Sequence, residues 1–108
     1  MRAGTIARVY AETLLREADR ENARDEVDAS LAAVVAALES DGRFRRFLEG
    51  PQIEGEDKKA VIGQAFGGRI HPLALRFLKL VVDKHREVLV EVIVAAWSQL
   101  LDERAGRQ

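Results

Sequence analysis

The chain has 108 residues, 47% of them apolar, with 17 basic side chains against 18 acidic ones and no cysteine. That length suits one domain rather than two, and the balanced charge lacks the basic excess by which nucleic acid or an anionic membrane is usually met. Disulfides, thiolate metal sites and thiol nucleophiles are excluded outright, a usage that fits a reducing compartment.

Arg2 is followed by no apolar stretch with a cleavage pattern, so no signal peptide is expected. The longest oily run, VLVEVIVAAW (Val88–Trp97), is interrupted by Glu91 and falls far short of the ~20 residues that span a bilayer. A soluble protein is expected. The only prolines are Pro51 and Pro72, and breaks are marked by Asp41-Gly42, Gly50-Pro51, Gly55, Gly67-Gly68 and His71-Pro72. Between them the composition predicts helices near residues 5–21, 24–39, 43–49, 56–66, 72–84 and 87–104. Pro72 suits a first helical turn, with His71 as its cap, and Glu56 and Asp57 suit the positive end of the fourth helix. The boundary at Lys84-His85-Arg86 holds neither Gly nor Pro, so one helix from Pro72 to Arg104 is the alternative there. VLVEVIV has strand-like β-branching, but AAWSQLLDER follows without a turn and no other segment offers a partner strand. The fold class is therefore all-α, a compact six-helix bundle.

Projecting the helices at about 100° per residue separates their faces. In the first, Arg8, Glu12, Arg16 and Asp19 gather on one side, which leaves an apolar or small arc of roughly 240°. That arc is wide enough for two stripes: Ala7, Ala11, Leu14 and Ala18, and beside them Ile6, Val9, Tyr10 and Thr13. In the fifth helix Arg76, Lys79 and Asp83 cluster, with Leu73, Phe77 and Leu80 on one flank and Ala74, Leu75, Leu78, Val81 and Val82 beyond. The last helix is apolar nearly all round and reads as the post at the centre of the bundle. Helices one and five then have surface to spare, and side by side they would form a groove for a partner's amphipathic helix.

Catalytic chemistry finds no support. The two histidines have no ligand-spaced partners, so no metal or cofactor is expected; His85 suits a helix C-terminus instead. GQAFGG (Gly63–Gly68) ends a helix rather than opening one, and lacks the Gly-Lys-Ser/Thr of a phosphate loop. Ser30 and Ser98 lie on helix surfaces without a base. Phe44, Phe47 and Leu48 pack inward while Arg43, Arg45 and Arg46 stay in water, in preference to forming a nucleic-acid platform.

Three segments carry a family resemblance. IARVYAETLLREA resembles the opening helix of the δ subunit of bacterial F-type ATP synthase, the oligomycin-sensitivity-conferring protein of mitochondria, through Ile6, Ala7, Tyr10 and Ala11. FRRFLEGPQIEGEDKKAVI (Phe44–Ile62) resembles that family's Phe-Leu-x-x-Pro-x-Ile segment with its following Lys-Lys. RFLKLVVDKHREVLVEVIVAAWSQLLDERAG resembles its Phe-Leu-x-x-Leu, basic turn and long oily helix. Arg76 stands where the family often has Asn, and His85 where Gly is frequent.

The resemblance implies the N-terminal domain of a non-catalytic stator subunit, whose C-terminal, stalk-binding domain would lie outside this chain. It implies binding to the N-terminal helix of an alpha subunit on the crown of the catalytic head, a link to the b-subunit stalk through the second domain, and a peripheral place at the cytoplasmic side of the membrane. Carried onto this sequence, the groove comprises Ile6, Val9, Tyr10, Thr13, Leu73, Phe77, Leu80 and Lys84. Tyr10→Asp is then expected to abolish partner binding with the fold nearly intact, and Trp97 to report folding rather than binding. Two rivals remain. An RNA-binding antitermination factor of the NusB type would need a basic first-helix face, against the Arg8/Glu12/Arg16 alternation. A homodimer that closes its own groove would show itself in sedimentation.

Overall fold

A computed structural model describes residues 2–106. The chain forms α1 (Ala3–Arg20), α2 (Arg24–Ser40), α3 (Gly42–Glu49), α4 (Gly55–Phe66), α5 (Pro72–Asp83), a 3-10 turn (Glu87–Leu89) and α6 (Val90–Arg104). No strand occurs among the described residues, and none of their helices is long and apolar enough to cross a membrane. Each helix begins and ends within two residues of the bounds expected from the sequence, except that the last starts at Val90 and not at residue 87.

The local chemistry accounts for the boundaries. Asp41 caps α3, its Oδ1 accepting from the backbone N–H of Arg43 at 3.0 Å and of Phe44 at 3.1 Å. His71 caps α5 as its position before Pro72 implies, Nδ1 accepting from the N–H of Leu73 at 3.0 Å. α4 ends at Gly67, where a Cβ would come within 2.4 Å of the Gly63 carbonyl oxygen, so only glycine fits.

Two helices end without glycine. After α1, Asn22 takes φ 54°, and the N–H of Ala23 reaches back to the Ala18 carbonyl at 2.8 Å. After α5, His85 takes φ 58°, donating to the Val82 carbonyl while Arg86 donates to that of Val81, both at 3.0 Å. Each is a six-residue C-terminal cap with a left-handed residue at its turn. The second one decides between the two readings of Pro72 to Arg104. The chain breaks at His85 and restarts through the 3-10 turn, so α5 and α6 are separate helices.

α1 packs along α6, α4 against α5, and α2 crosses α6, α3, α5 and α1. The core is continuous through Leu14, Leu15, Leu31, Ile62, Phe77, Leu78, Ile93 and Trp97. Trp97 is wholly buried, and its Nε1 donates to Asp28 Oδ1 at 2.8 Å, which satisfies the indole's single donor. α6 does not stand in the middle of the bundle. Val90, Ile93, Trp97 and Leu100 are buried, whereas Val92 is 41% exposed and Val88, in the preceding turn, 62%. One face of this helix therefore meets water, despite an apolar pattern that runs almost all round it.

Ser30 and Lys58 are buried and Arg45 is half-buried, whereas Ser30 and Arg45 were expected at the surface. Ser30 is buried, its hydroxyl donating to the Glu26 carbonyl at 2.7 Å and accepting from the His71 N–H at 2.9 Å, which ties α2 to the start of α5. Arg45 is not a solvated arginine: its guanidinium meets Glu91 at 2.7 and 3.0 Å and the Leu38 carbonyl at 3.2 Å. Lys58 is buried, with Nζ 2.8 Å from Glu87 Oε2, and so joins α4 to the 3-10 turn.

Candidate functional site: the groove between α1 and α5

The α1 sequence divides into the two stripes its periodicity predicts. Ala7, Ala11, Leu14, Leu15 and Ala18 are buried. Next to them Ile6 and Tyr10 are half-buried, while Thr13 is exposed and Val9 52% exposed. On α5, Leu73, Ala74, Phe77, Leu78, Val81 and Val82 are buried and Leu80 is 44% exposed. The two helices run antiparallel, with Tyr10 of α1 reaching Arg86 just past α5 and Glu21 reaching Arg76 near its start.

A cavity of about 290 Å³ opens between them, lined by Tyr10, Thr13, Leu14, Glu17, Leu73, Arg76, Phe77 and Leu80. Of the eight residues assigned from the sequence, Tyr10, Thr13, Leu73, Phe77 and Leu80 line it. Ile6, Val9 and Lys84 do not. Ile6 lies one turn before Tyr10 on the same stripe, and Lys84 one turn beyond Leu80. Val9 points further round α1, at the outer lip. Sequence reasoning missed Leu14, which it gave to the core stripe, Glu17, which it left unassigned, and Arg76, which it placed in the charged cluster of the fifth helix. Their positions at i+7 from Tyr10 and i+3 from Leu73 are the signal that could have found them.

Tyr10 stands at the end of the groove wall nearest Arg86. Its ring meets Phe77 edge to face, with centroids 6.1 Å apart at 73°. Its hydroxyl accepts from Arg86 Nη1 at 3.0 Å, and the guanidinium carbon lies 5.6 Å from the ring centroid. The ring thus packs on the core behind it while one face looks into the groove. Tyr10 is therefore a core-edge residue and a groove residue at once.

The rest of the surface offers little chemistry. Among the described residues no group of three His, Asp or Glu side chains could hold a metal ion. The cavity beside Ser30, His71 and Arg69 is wide open, and the hydroxyl it would offer is already spent on Glu26 and His71. Around α1 the charges are paired across helices. Arg8 holds Glu103 at 3.0 Å and Arg24 holds Asp19 at 2.9 Å, and both carboxylates are driven below their usual range by those hydrogen bonds. The outer face of α1 is therefore neutralised, not basic.

The family profile described as ATP synthase delta (OSCP) subunit matches residues 6–108. The chain is 35% identical over 102 residues to the ATP synthase subunit delta of Gemmatimonas aurantiaca, across 94% of this chain and 55% of that protein. It is 39% identical over 95 residues to that of Acetivibrio thermocellus, across 88% and 53%. With that of Desulforamulus reducens the identity is 34% over 107 residues, across 99% and 59%. The chain spans little more than half the length of these curated relatives. A profile that runs from Ile6 in α1 through α6 takes in part or all of every element described above, and the chain belongs to the ATP synthase delta (OSCP) subunit family.

Proposed function

We propose that this chain is a non-catalytic part of the ATP synthase stator, and that its α1–α5 groove receives the N-terminal helix of an alpha subunit. The domain stands on the crown of the catalytic head, at the cytoplasmic side of the membrane, and reaches the membrane only through the assembly. The further length of its relatives supplies the link to the b-subunit stalk. Head and stalk joined in this way resist the torque of the rotor.

One observation carries the reading: an open apolar trough walled by two helices whose adjoining apolar stripes are buried in the core. A helix with its side chains is about 10–12 Å across, and laying an apolar stripe along such a trough is a common mode of peptide recognition. Five or six anchors, each worth roughly 1.5–3 kcal/mol of gross burial, exceed the lower estimates of the association cost. Tyr10 and Phe77 are the largest apolar groups on the receiving side, and Leu80 is the most exposed of its leucines.

A titration of labelled alpha-subunit N-terminal peptide into the domain tests this, with saturable binding expected in the micromolar range. Leu80→Glu is the cleanest disruption, because Leu80 is 44% exposed and its loss opens no hole in the core. It should remove binding and leave helical circular dichroism and melting unchanged. Tyr10→Asp also removes binding, but it breaks the contacts with Phe77 and Arg86 and costs stability besides. Absence of saturable binding to the unaltered domain would sink the proposal.

A further inference from the structure

Lys84, His85 and Arg86 form a basic run at one end of the groove, flanked in sequence by Asp83 and Glu87. Read from the sequence alone, those two acids would neutralise the run. In the fold both turn away to α4: Asp83 pairs with Lys59 Nζ at 2.8 Å, and Glu87 with Lys58 Nζ at 2.8 Å. Among the described residues no carboxylate lies within ion-pair distance of Lys84 or Arg86. The carbonyls that end α5 do not take up their side chains either, because the backbone N–H groups of residues 84–86 already cap them. Lys84 is exposed, and of the five N–H donors of Arg86 the Tyr10 hydroxyl engages one.

The opposite end of the groove is different. Arg76 meets Glu21 at 3.4 Å, and Glu17 meets Arg20 at 3.0 Å, so charges there are matched within the chain. The groove is an apolar trough with one cationic end and one neutral end.

We infer that the helix this groove receives carries carboxylates at the end that lies over Lys84 and Arg86, and that this pairing fixes the helix's register along the trough. The inference rests on the groove reading above and adds the chemistry of the occupant. Two effects act in the same direction. A carboxylate over Arg86 can accept from its free N–H groups in a two-point, charge-assisted contact. A purely apolar helix would instead cover those donors without offering an acceptor, and burying unmatched donors is penalised. Attraction for the acidic-ended helix and exclusion of the apolar one together make the selection.

The test titrates the labelled alpha-subunit peptide into the unaltered domain and into Lys84→Glu, Leu80→Glu and Arg43→Glu variants, at low and high salt. Arg43, on α3, does not line the groove and controls for net charge. Lys84→Glu should weaken binding by roughly threefold to tenfold at about 0.05 M salt, and by less than about twofold near 0.5 M, where screening is short-ranged. Arg43→Glu should change nothing. Replacing the peptide's acidic residues at that end by their amides should weaken binding to the unaltered domain by a similar factor, and restore part of the binding to Lys84→Glu. Salt-independent binding that Leu80→Glu abolishes and Lys84→Glu leaves untouched would overturn the charge inference while the groove stands. Failure of the unaltered domain to bind any form of the peptide would remove the groove reading and this inference with it.

Discussion

The buried pair between Lys58 and Glu87 sets a sharp test of what holds the groove's cationic end in place. The side chain of Lys58 is 4% exposed, that of Glu87 11%, and they meet at 2.8 Å. Lys58→Met keeps the aliphatic stem and its packing but leaves the Glu87 carboxylate buried without a partner. Removing one member of a buried pair costs about 3–5 kcal/mol, a large share of the ~5–15 kcal/mol that stabilises a small domain. For a chain of this size that is a fall in Tm of roughly 10–30 °C. The double variant Lys58→Met/Glu87→Leu should recover most of the loss and come within about 1 kcal/mol of the unaltered protein, because desolvation of both charges is then avoided. Urea denaturation followed at 222 nm measures all three. If Lys58→Met loses less than about 1 kcal/mol, the pair is solvated in practice. If the double variant is as weak as the single one, the loss comes from packing and not from an orphaned charge. Either result refutes the reasoning. The consequence reaches the groove, since Glu87 opens the 3-10 turn that follows Arg86, and Arg86 holds Tyr10.

Further outcomes are open to direct measurement. Trp97→Ala should cost about 3–5 kcal/mol by the cavity it leaves, and in the unaltered chain Trp97 fluorescence should shift on unfolding but not on peptide binding. The Arg45 hydrogen bond holds the Glu91 carboxyl below its usual range, so its stabilising effect is present above the ordinary carboxylate range and is lost as pH falls through the lowered value. Urea midpoints should therefore decline below about pH 4.5, less steeply in Arg45→Gln than in the unaltered chain. Lys59 is pushed up to about 12 by its bonds to Asp83 and Glu56. Its stabilising effect is complete below the ordinary lysine value and lost as pH rises through about 12, and Lys59→Gln should flatten that alkaline limb.

How much was legible in the sequence depends on the range of the interaction concerned. Asp41, His71, Pro72 and Gly67 act on backbone groups within four residues, and their roles could be read where they stand. The two stripes of α1 were legible for the same reason, since helical period alone places Tyr10 beside the buried set. Periodicity failed on α6, because an apolar pattern on all sides cannot say which side the neighbours leave open, and the fold leaves Val92 to water. It failed again wherever a charge is matched by a residue far along the chain. Nothing near Arg45 announces Glu91, and nothing near Lys58 announces Glu87. The cationic end of the groove was hidden by the same blindness: Asp83 and Glu87 neutralise the run on paper and desert it in space.

The turn at His85 shows how a position can break a local rule and still specify the fold. A non-glycine residue in the left-handed region costs roughly 1–2 kcal/mol, and His85 is exposed, with no side-chain hydrogen bond or ion pair among the described residues to offset the cost. His85→Gly relieves that strain but gives the unfolded chain more freedom, worth about 0.4–1 kcal/mol in the other direction. The net gain should be about 0.5–1 kcal/mol, visible as a rise in Tm of a few degrees. Asn22, at φ 54° after α1, is the internal control. Asparagine tolerates this conformation, so Asn22→Gly should change stability by only a few tenths of a kcal/mol. His85→Val should lose more than about 1 kcal/mol, because a β-branched side chain fits the left-handed region worst of all. If His85→Gly instead destabilises, the imidazole makes a contribution that its exposure conceals. The glycine variant also separates stability from recognition. It preserves the six-residue cap that turns Arg86 back toward Tyr10, and it leaves Lys84 and Arg86 as they are. Peptide affinity should therefore stay within about twofold of the unaltered domain while the melt rises, since the binding charge lies in the two side chains on either side of the turn and the strain lies at the turn itself.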